Sequence, residues 1–244
     1  MRAFVSQKQR VDQQPAFVLH THPWRETSLI VEFFSRDHGR VALVAKGARR
    51  PMSALRGVIM AFQPLLVDWS GGGEVKTLVR AEWQGGQPLL TGRALMCGYY
   101  LNELLVRLTA REDSHPALFA AYAAALSAIA HSEAQAPVLR RFELELLREL
   151  GYGVGLDVEA DSGEPVDPAR QYVYIIERGP VAVSPDAGEL PAVAGRTLLE
   201  MARGDFSRPE TVAQGKALLR ILINHYLGGQ PLQSRRVLTE LQEL

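Results

Sequence analysis

Residues Thr27–Trp83 read TSLIVEFFSRDHGRVALVAKGARRPMSALRGVIMAFQPLLVDWSGGGEVKTLVRAEW. Apolar and polar residues alternate in short runs separated by glycine-bearing turns, the period-two pattern of half-buried strands. Leu29–Phe34 and Arg40–Ala45 flank Arg36-Asp37-His38-Gly39, which supplies hairpin turn chemistry. Gly57–Val67 reads as one or two further strands, with Pro64 marking an edge or a bulge. Ser70-Gly71-Gly72-Gly73 is a flexible turn, and Val75–Trp83 completes the set. Upstream, Ala16–Thr21 is also strand-like. Five short antiparallel strands within about 70 residues predict a sandwich or a small closed barrel, closure being the arrangement that leaves no exposed edge.

Outward from this core, residues 1–14 are polar and without period and read as a leader. Gln84-Gly85-Gly86-Gln87-Pro88 opens a linker over 84–92. Beyond it the period changes from 2 to 3.6, which predicts a helical domain over 93–244. Helices are expected at 93–110, at Ala117–Ala130 and at Val138–Leu150, the last ended by Gly151. Residues 151–190 are irregular and acidic, with a possible hairpin at Tyr172–Ile176 and Val181–Val183. Helices resume at 192–203, 209–227 and 234–243. The expected class is therefore α+β in two domains, a five-stranded barrel at 15–83 followed by an all-α domain with a small insertion.

Composition narrows the function classes. Apolar residues make up 47% and charged residues 22% of 244, a globular balance. A single cysteine, Cys97, excludes an intramolecular disulfide and multi-cysteine metal sites. No run approaches the roughly 18 apolar residues of a membrane span, and a soluble cytoplasmic protein is expected. Net charge is zero, yet residues 1–80 hold 12 Lys and Arg against 6 Asp and Glu, a local +6. Residues 81–244 hold 15 against 21, a local −6. Such asymmetry points to a nucleic-acid-facing module joined to one with another task. Only Lys8, Lys46, Lys76 and Lys216 are lysines, and arginine suits bidentate phosphate contacts, with GC-rich coding bias the competing explanation of that preference.

The catalytic and cofactor motifs fail one by one. In Gly71-Gly72-Gly73-Glu74-Val75-Lys76-Thr77, Val75 stands where a phosphate-binding loop needs glycine, and no helix pattern follows. Gly151-Tyr152-Gly153-Val154-Gly155 follows a helix and not a strand, so it is a helix cap and not a dinucleotide fingerprint. His20 and His22 alternate on a strand and could face one side as metal ligands, but no third ligand is spaced to join them, and a role beside phosphate or as plain barrel surface fits better. No nucleophile elbow or His-Glu-x-x-His motif occurs, and nothing in the sequence calls for an enzyme or a cofactor.

The surviving signal is cationic. Arg25, Arg36, Arg40, Lys46, Arg49, Arg50, Arg56 and Lys76 fall mostly at strand ends and turns, where a barrel presents charge to a phosphate backbone. Gly47 and Ala48 allow close approach beside Lys46 and Arg49. Among the interleaved aromatics, Trp24 in His22-Pro23-Trp24-Arg25 is the best candidate for base stacking. The alternative is that these charges are simply a solvated face.

With Lys46-Gly47-Ala48-Arg49-Arg50, the segments Leu150-Gly151-Tyr152-Gly153, Gly163-Glu164-Pro165-Val166-Asp167 and Tyr226-Leu227-Gly228-Gly229-Gln230-Pro231-Leu232-Gln233-Ser234-Arg235 fall in an order and spacing that resembles the RecO family of bacterial recombination mediators. The resemblance runs from about residue 15 to near the end. It implies an N-terminal OB-fold and an all-α domain. It also implies binding of single- and double-stranded DNA, annealing of complementary strands, and partnership with RecR and the single-stranded DNA-binding protein SSB, so that RecA is loaded onto coated DNA. Many members carry two Cys-x-x-Cys pairs after the Leu-Gly-Tyr motif. Here those positions are Glu159, Ser162, Ser184 and Ala187, so the chain resembles a zinc-less branch with the insertion at 157–190 held by packing. The family grips the acidic SSB tail in an apolar groove lined by arginine, which the resemblance places at Arg140 and, beside it, Arg141. For Arg141 an exposed i,i+4 pair with Glu145 is the competing role. Outside the family reading, an RNA-binding or transcription adaptor built on the same barrel, or a pure protein adaptor, would fit the same residues.

Overall fold

The computed structural model describes residues 10–132, 134–183 and 191–242. The chain packs as two compact units, residues 1–131 with 233–244, and residues 132–232. From the sequence their net charges are +5 and −5.

In the first unit, β1 (Arg10–Trp24), β2 (Ser28–Ser35), β3 (Gly39–Ala45), β4 (Leu65–Ser70) and β5 (Val75–Trp83) close into a barrel of order β1-β2-β3-β5-β4. β4 pairs with β1, and β3 runs parallel to β5 from Ala42↔Val75 to Val44↔Thr77. This is the OB-fold order. Inward-facing Val18, Val31, Phe33, Leu43, Val67 and Trp69 fill the interior.

Two local expectations give way. Residues 10–14 are not leader but the start of β1, with Arg10 opposite Ser70 and Gln14 opposite Val67. A bulge between Val11 and Gln14, with Gln13 at φ +52°, breaks the period-two signal there. The apolar run from Gly57 is strand only from Leu65; α1 (Leu55–Val58) precedes it, with Leu55, Val58 and Ile59 packed on the barrel core. A short apolar run does not tell strand from buried helix by period alone.

α2 (Gly92–Leu108), α3 (Pro116–His131) and α7 (Gln233–Gln242) group with the barrel. Phe17 and Phe34, on the barrel's outer face, pack against Phe119 and Tyr122 of α3 at ring separations of 5.2–6.1 Å. The connection after α2 is pinned to the β2–β3 hairpin. Gly39 (φ +60°) lies so close that a Cβ would fall 1.7 Å from the Asp113 carbonyl oxygen. The start of α7 is fixed by Glu103, whose carboxylate accepts from the Gln233 and Ser234 backbone and the Ser234 hydroxyl at 2.6–2.8 Å. Burial pushes that carboxyl up, but these donors outweigh it and hold it below its usual value.

The second unit contains α4 (Gln135–Glu149), α5 (Gly195–Ala202), α6 (Pro209–Tyr226) and a three-stranded antiparallel sheet. Its strands are β6 (Gln171–Ile175), β7 (Gly179–Ala182) and β8 (Ala192–Ala194), in order β7-β6-β8. The expected hairpin is β6–β7, whereas β8 takes three residues from the expected helix at 192–203. Gly151 and Tyr152 close α4 by donating to Arg148 and Leu147 carbonyls, and Gly228 and Gly229 close α6 in the same way. The two closing turns meet: Tyr152 and Tyr226 stack at 3.8 Å with an interplanar angle of 12°.

Candidate nucleic-acid interface

Lys46-Gly47-Ala48-Arg49-Arg50 leaves β3 as a tight turn whose middle residue is its anchor. Ala48 is buried in the barrel core, and that leaves Lys46, Arg49 and Arg50 exposed around it. Gly47 sits at φ +69°, a conformation that disfavours any side chain, and its N–H donates to Ser28 Oγ at 3.4 Å. The Arg49 N–H donates to the Thr27 carbonyl at 2.9 Å, and its guanidinium reaches the Arg25 carbonyl at 3.4 Å. The β1–β2 turn and the cationic turn are thereby tied together. Trp24 is 43% exposed, with the Arg25 guanidinium 5.9 Å from its ring centre. Five sequence candidates (Trp24, Arg25, Lys46, Arg49 and Arg50) thus converge at the Ser28 end of β2. Arg56 is exposed further along the same connection, on α1.

The remaining three cations are brought to the other end of β2 and are engaged within the protein. Arg36 lies flat on Asp37 with two hydrogen bonds of 2.9 Å. Arg36 first, and Gln14 second, hold the Asp37 carboxyl down to about 2. Arg40 is largely buried, reaching Glu32 at 3.4 Å and the Thr109 carbonyl at 3.0 Å, while Arg111 engages the other Glu32 oxygen. Burial lowers the Arg40 pKa, Glu32 opposes the shift and Arg111 adds to it. Lys76 is buried, its ammonium held by Glu112 and by the Gly73 carbonyl at 3.2 Å.

His20 and His22 do face one side, their rings edge to face at 4.2 Å. Among the described residues no three His, Cys, Asp or Glu gather as a metal site. Of the four positions equivalent to zinc ligands, Ser184 and Ala187 lie outside the described residues. Glu159 accepts from the Ala182 N–H at 3.4 Å and Ser162 Oγ from the Glu164 N–H at 3.2 Å, so both serve the local fold.

In the second unit Arg140 is buried on α4, bound to buried Glu143 at 2.5 Å. Arg141 turns from Glu145 and donates to the Gly204 carbonyl at 3.1 Å, while Arg148 donates to Ala202 at 2.8 Å. Both arginines therefore satisfy carbonyls at the end of α5. An apolar groove of about 250 Å³ runs between β6, β8 and α6, lined by Val173, Ile175, Ala192, Leu218 and Ile221, with no arginine among its described walls.

The profile described as "Recombination protein O N terminal" matches residues 10–86, and "Recombination protein O C terminal" matches 89–236. The DNA repair protein RecO of Aromatoleum aromaticum is 81% identical over 240 residues, covering 98% of this chain and 100% of that protein. The chain belongs to the RecO family. RecO proteins of an Azoarcus species and of Ralstonia nicotianae are 70% and 56% identical, over 97% and 96% of the chain and 99% and 86% of their own lengths. A DNA repair role follows, and the barrel with its helical partner is the RecO N-terminal OB-fold joined to the RecO helical region. No helix of the described residues is long and apolar enough to cross a membrane. Sequence pattern alone did not signal two parts of this RecO site. The tie runs through the Thr27 carbonyl and the Ser28 hydroxyl, which no local pattern marks, and the buried Asn102, whose amide donates to the Leu19 carbonyl of β1, looks like any helix polar residue.

Proposed function

We propose that this chain acts in recombinational repair by holding single- and double-stranded DNA along the cationic end of its barrel, and by annealing complementary strands there. With RecR it would help load RecA onto SSB-coated DNA, with no catalytic step of its own. The observation that carries the reading is the turn of Lys46, Arg49 and Arg50, flared around buried Ala48 and fixed beside Trp24 and Arg25. Phosphate contacts from such a turn carry no base information, as annealing of arbitrary sequences requires. Trp24 offers a stacking face to an unpaired base. For the SSB tail we keep Arg140 and Arg141 together as the proposed contact: Arg140 is buried against Glu143, and Arg141 stands exposed next to it, where a tail carboxylate can reach.

The test is charge reversal of Lys46, Arg49 and Arg50 together, read by DNA titration across salt. Each lost phosphate contact flattens the logarithmic salt dependence by about 0.7 to 0.9, so a loss of about 2 to 3 in slope is expected. Annealing of SSB-coated complementary strands without ATP should fall in parallel. A wild-type slope in the triple variant would remove DNA from this face. Tighter binding to structured RNA than to DNA would favour the adaptor reading instead.

A further inference from the structure

His20 and His22 are used neither by the cationic turn nor by the ion pairs at the other end of β2, yet the fold goes to some length to place them. In the β1–β2 ladder Val18 pairs with Phe33 and His20 with Glu32, so Leu19 is an extra residue in β1. One extra residue turns every following side chain to the opposite face. Val18 faces the core with Val31 and Phe33, and an unbroken strand would send His20, His22 and Trp24 the same way. After the bulge the register sets Thr21 opposite core residue Val31 and His20 opposite Glu32, so His20, His22 and Trp24 take the outer face, in a stretch of β1 whose residues 20–24 are all exposed.

The bulge is itself held from beneath. The Asn102 side-chain amide of α2 donates to the Leu19 carbonyl at 2.9 Å and to that of Val18 at 3.4 Å. Its oxygen accepts from the Tyr122 hydroxyl at 2.5 Å, with Asn102 and Tyr122 both buried. The resulting stripe, His20–His22–Trp24, runs roughly 14 Å along β1 and ends at Arg25 against the cationic turn. Among the described residues the charges facing it are few. Glu32 on β2 stands across from His20 but is engaged by Arg40 of β3 and Arg111 of the α2–α3 connection, and uncharged Ile30 stands across from His22. The α2 group beneath is the uncharged Asn102.

We propose that His20 and His22 extend the DNA path from the cationic turn up the outer face of β1 as phosphate contacts, so that binding tightens at mildly acidic pH. This rests on the reading that DNA occupies the turn. Burial first and His22 second hold His20 below the ordinary imidazole value, against an opposing pull from Glu32, so the free protein carries it neutral at neutral pH. A phosphate beside the ring favours the charged form, so binding takes up protons and affinity rises as pH falls.

The experiment compares wild type, the double variant His20→Gln with His22→Gln, and the triple charge reversal at Lys46, Arg49 and Arg50. Each is titrated with a labelled single strand at pH 7.5 and 6.0 at fixed ionic strength. Wild type should tighten by roughly three-fold or more on acidification, the double variant should lose that response, and the triple variant should be weak at both values. A double variant that keeps the wild-type pH response overturns the proposal while leaving the turn as the DNA site. A triple variant as tight as wild type removes the turn as well. Circular dichroism at both pH values separates these outcomes from unfolding.

Discussion

At the Ser28 end of β2 stand Arg25, Lys46, Arg49 and Arg50; at the Ser35 end stand Arg36, Arg40 and Lys76. The residue types are alike and both groups sit beside hairpin turns, but their surroundings differ. At the Ser35 end the connection between α2 and α3 docks on the barrel and brings Arg111 and Glu112, which join Glu32 and Asp37 around the cations. At the Ser28 end Lys46 and Arg50 are exposed and make no ion pair among the described residues. A buried cation without a partner is costly, so one end engages its charges to fix the fold. The exposed end keeps its charges available to a ligand. A count of basic residues cannot separate the two; what counter-charge the tertiary structure brings to each one can.

The largest expected effect lies at the engaged end. Arg40→Ala leaves buried Glu32 with Arg111 alone and removes a donor from the Thr109 carbonyl. Loss of one partner from a buried pair costs about 3 kcal/mol or more. Urea unfolding should show that loss, with DNA affinity of the folded variant within about two-fold of wild type, an allowance of some 0.4 kcal/mol. Undiminished stability together with weakened DNA binding would erase the distinction between the ends.

A smaller effect tests what positions the stripe between them. Tyr122→Phe removes the hydroxyl that donates to Asn102 and leaves a buried amide oxygen short of a donor, at a cost of about 1 to 3 kcal/mol. Burial pushes the Tyr122 phenol far above its ordinary value, so this hydroxyl stays a donor across the working pH range. Unfolding at pH 6 and pH 8 should therefore give the same difference between variant and wild type. A difference that changes with pH would mean the hydroxyl titrates and does not act as a fixed donor.

Much of this was legible from residues alone. The five strands, the cationic turn and the helical periods after Pro88 follow from alternation and glycine placement. Local patterns could not show where an extra residue enters a strand. The bulge at Leu19 and that before Gln14 have no composition of their own and exist because neighbouring strands and Asn102 accommodate them. Nor could they show which arginines are engaged: Arg40 and Arg49 look alike in sequence, and what separates them is distant in the chain, as the Thr109 carbonyl is 69 positions from Arg40. Arg140 illustrates the same limit, since Glu143 three residues on turns an apparent surface cation inward.

The mildest perturbation converts an engaged cation into an available one. Asp37→Asn should release Arg36 at neutral pH while keeping an acceptor for Gln14. The carboxyl is held from 3.8 down to about 2, by Arg36 and then by Gln14, so its contribution to stability is present above the higher value and lost as pH falls through the lower. Between pH 4 and 2 the variant should accordingly lose stability less steeply than wild type. The group is exposed and the gain at neutral pH correspondingly slight. If the DNA path reaches the Ser35 end, the freed Arg36 adds one phosphate contact, and the salt slope steepens by no more than about 0.7 to 0.9. An unchanged slope means the path stops short of that end, at the histidine stripe. Weaker DNA binding by Asp37→Asn is the result that breaks the contrast, because it would mean the ion pair itself, and not a liberated arginine, meets the DNA.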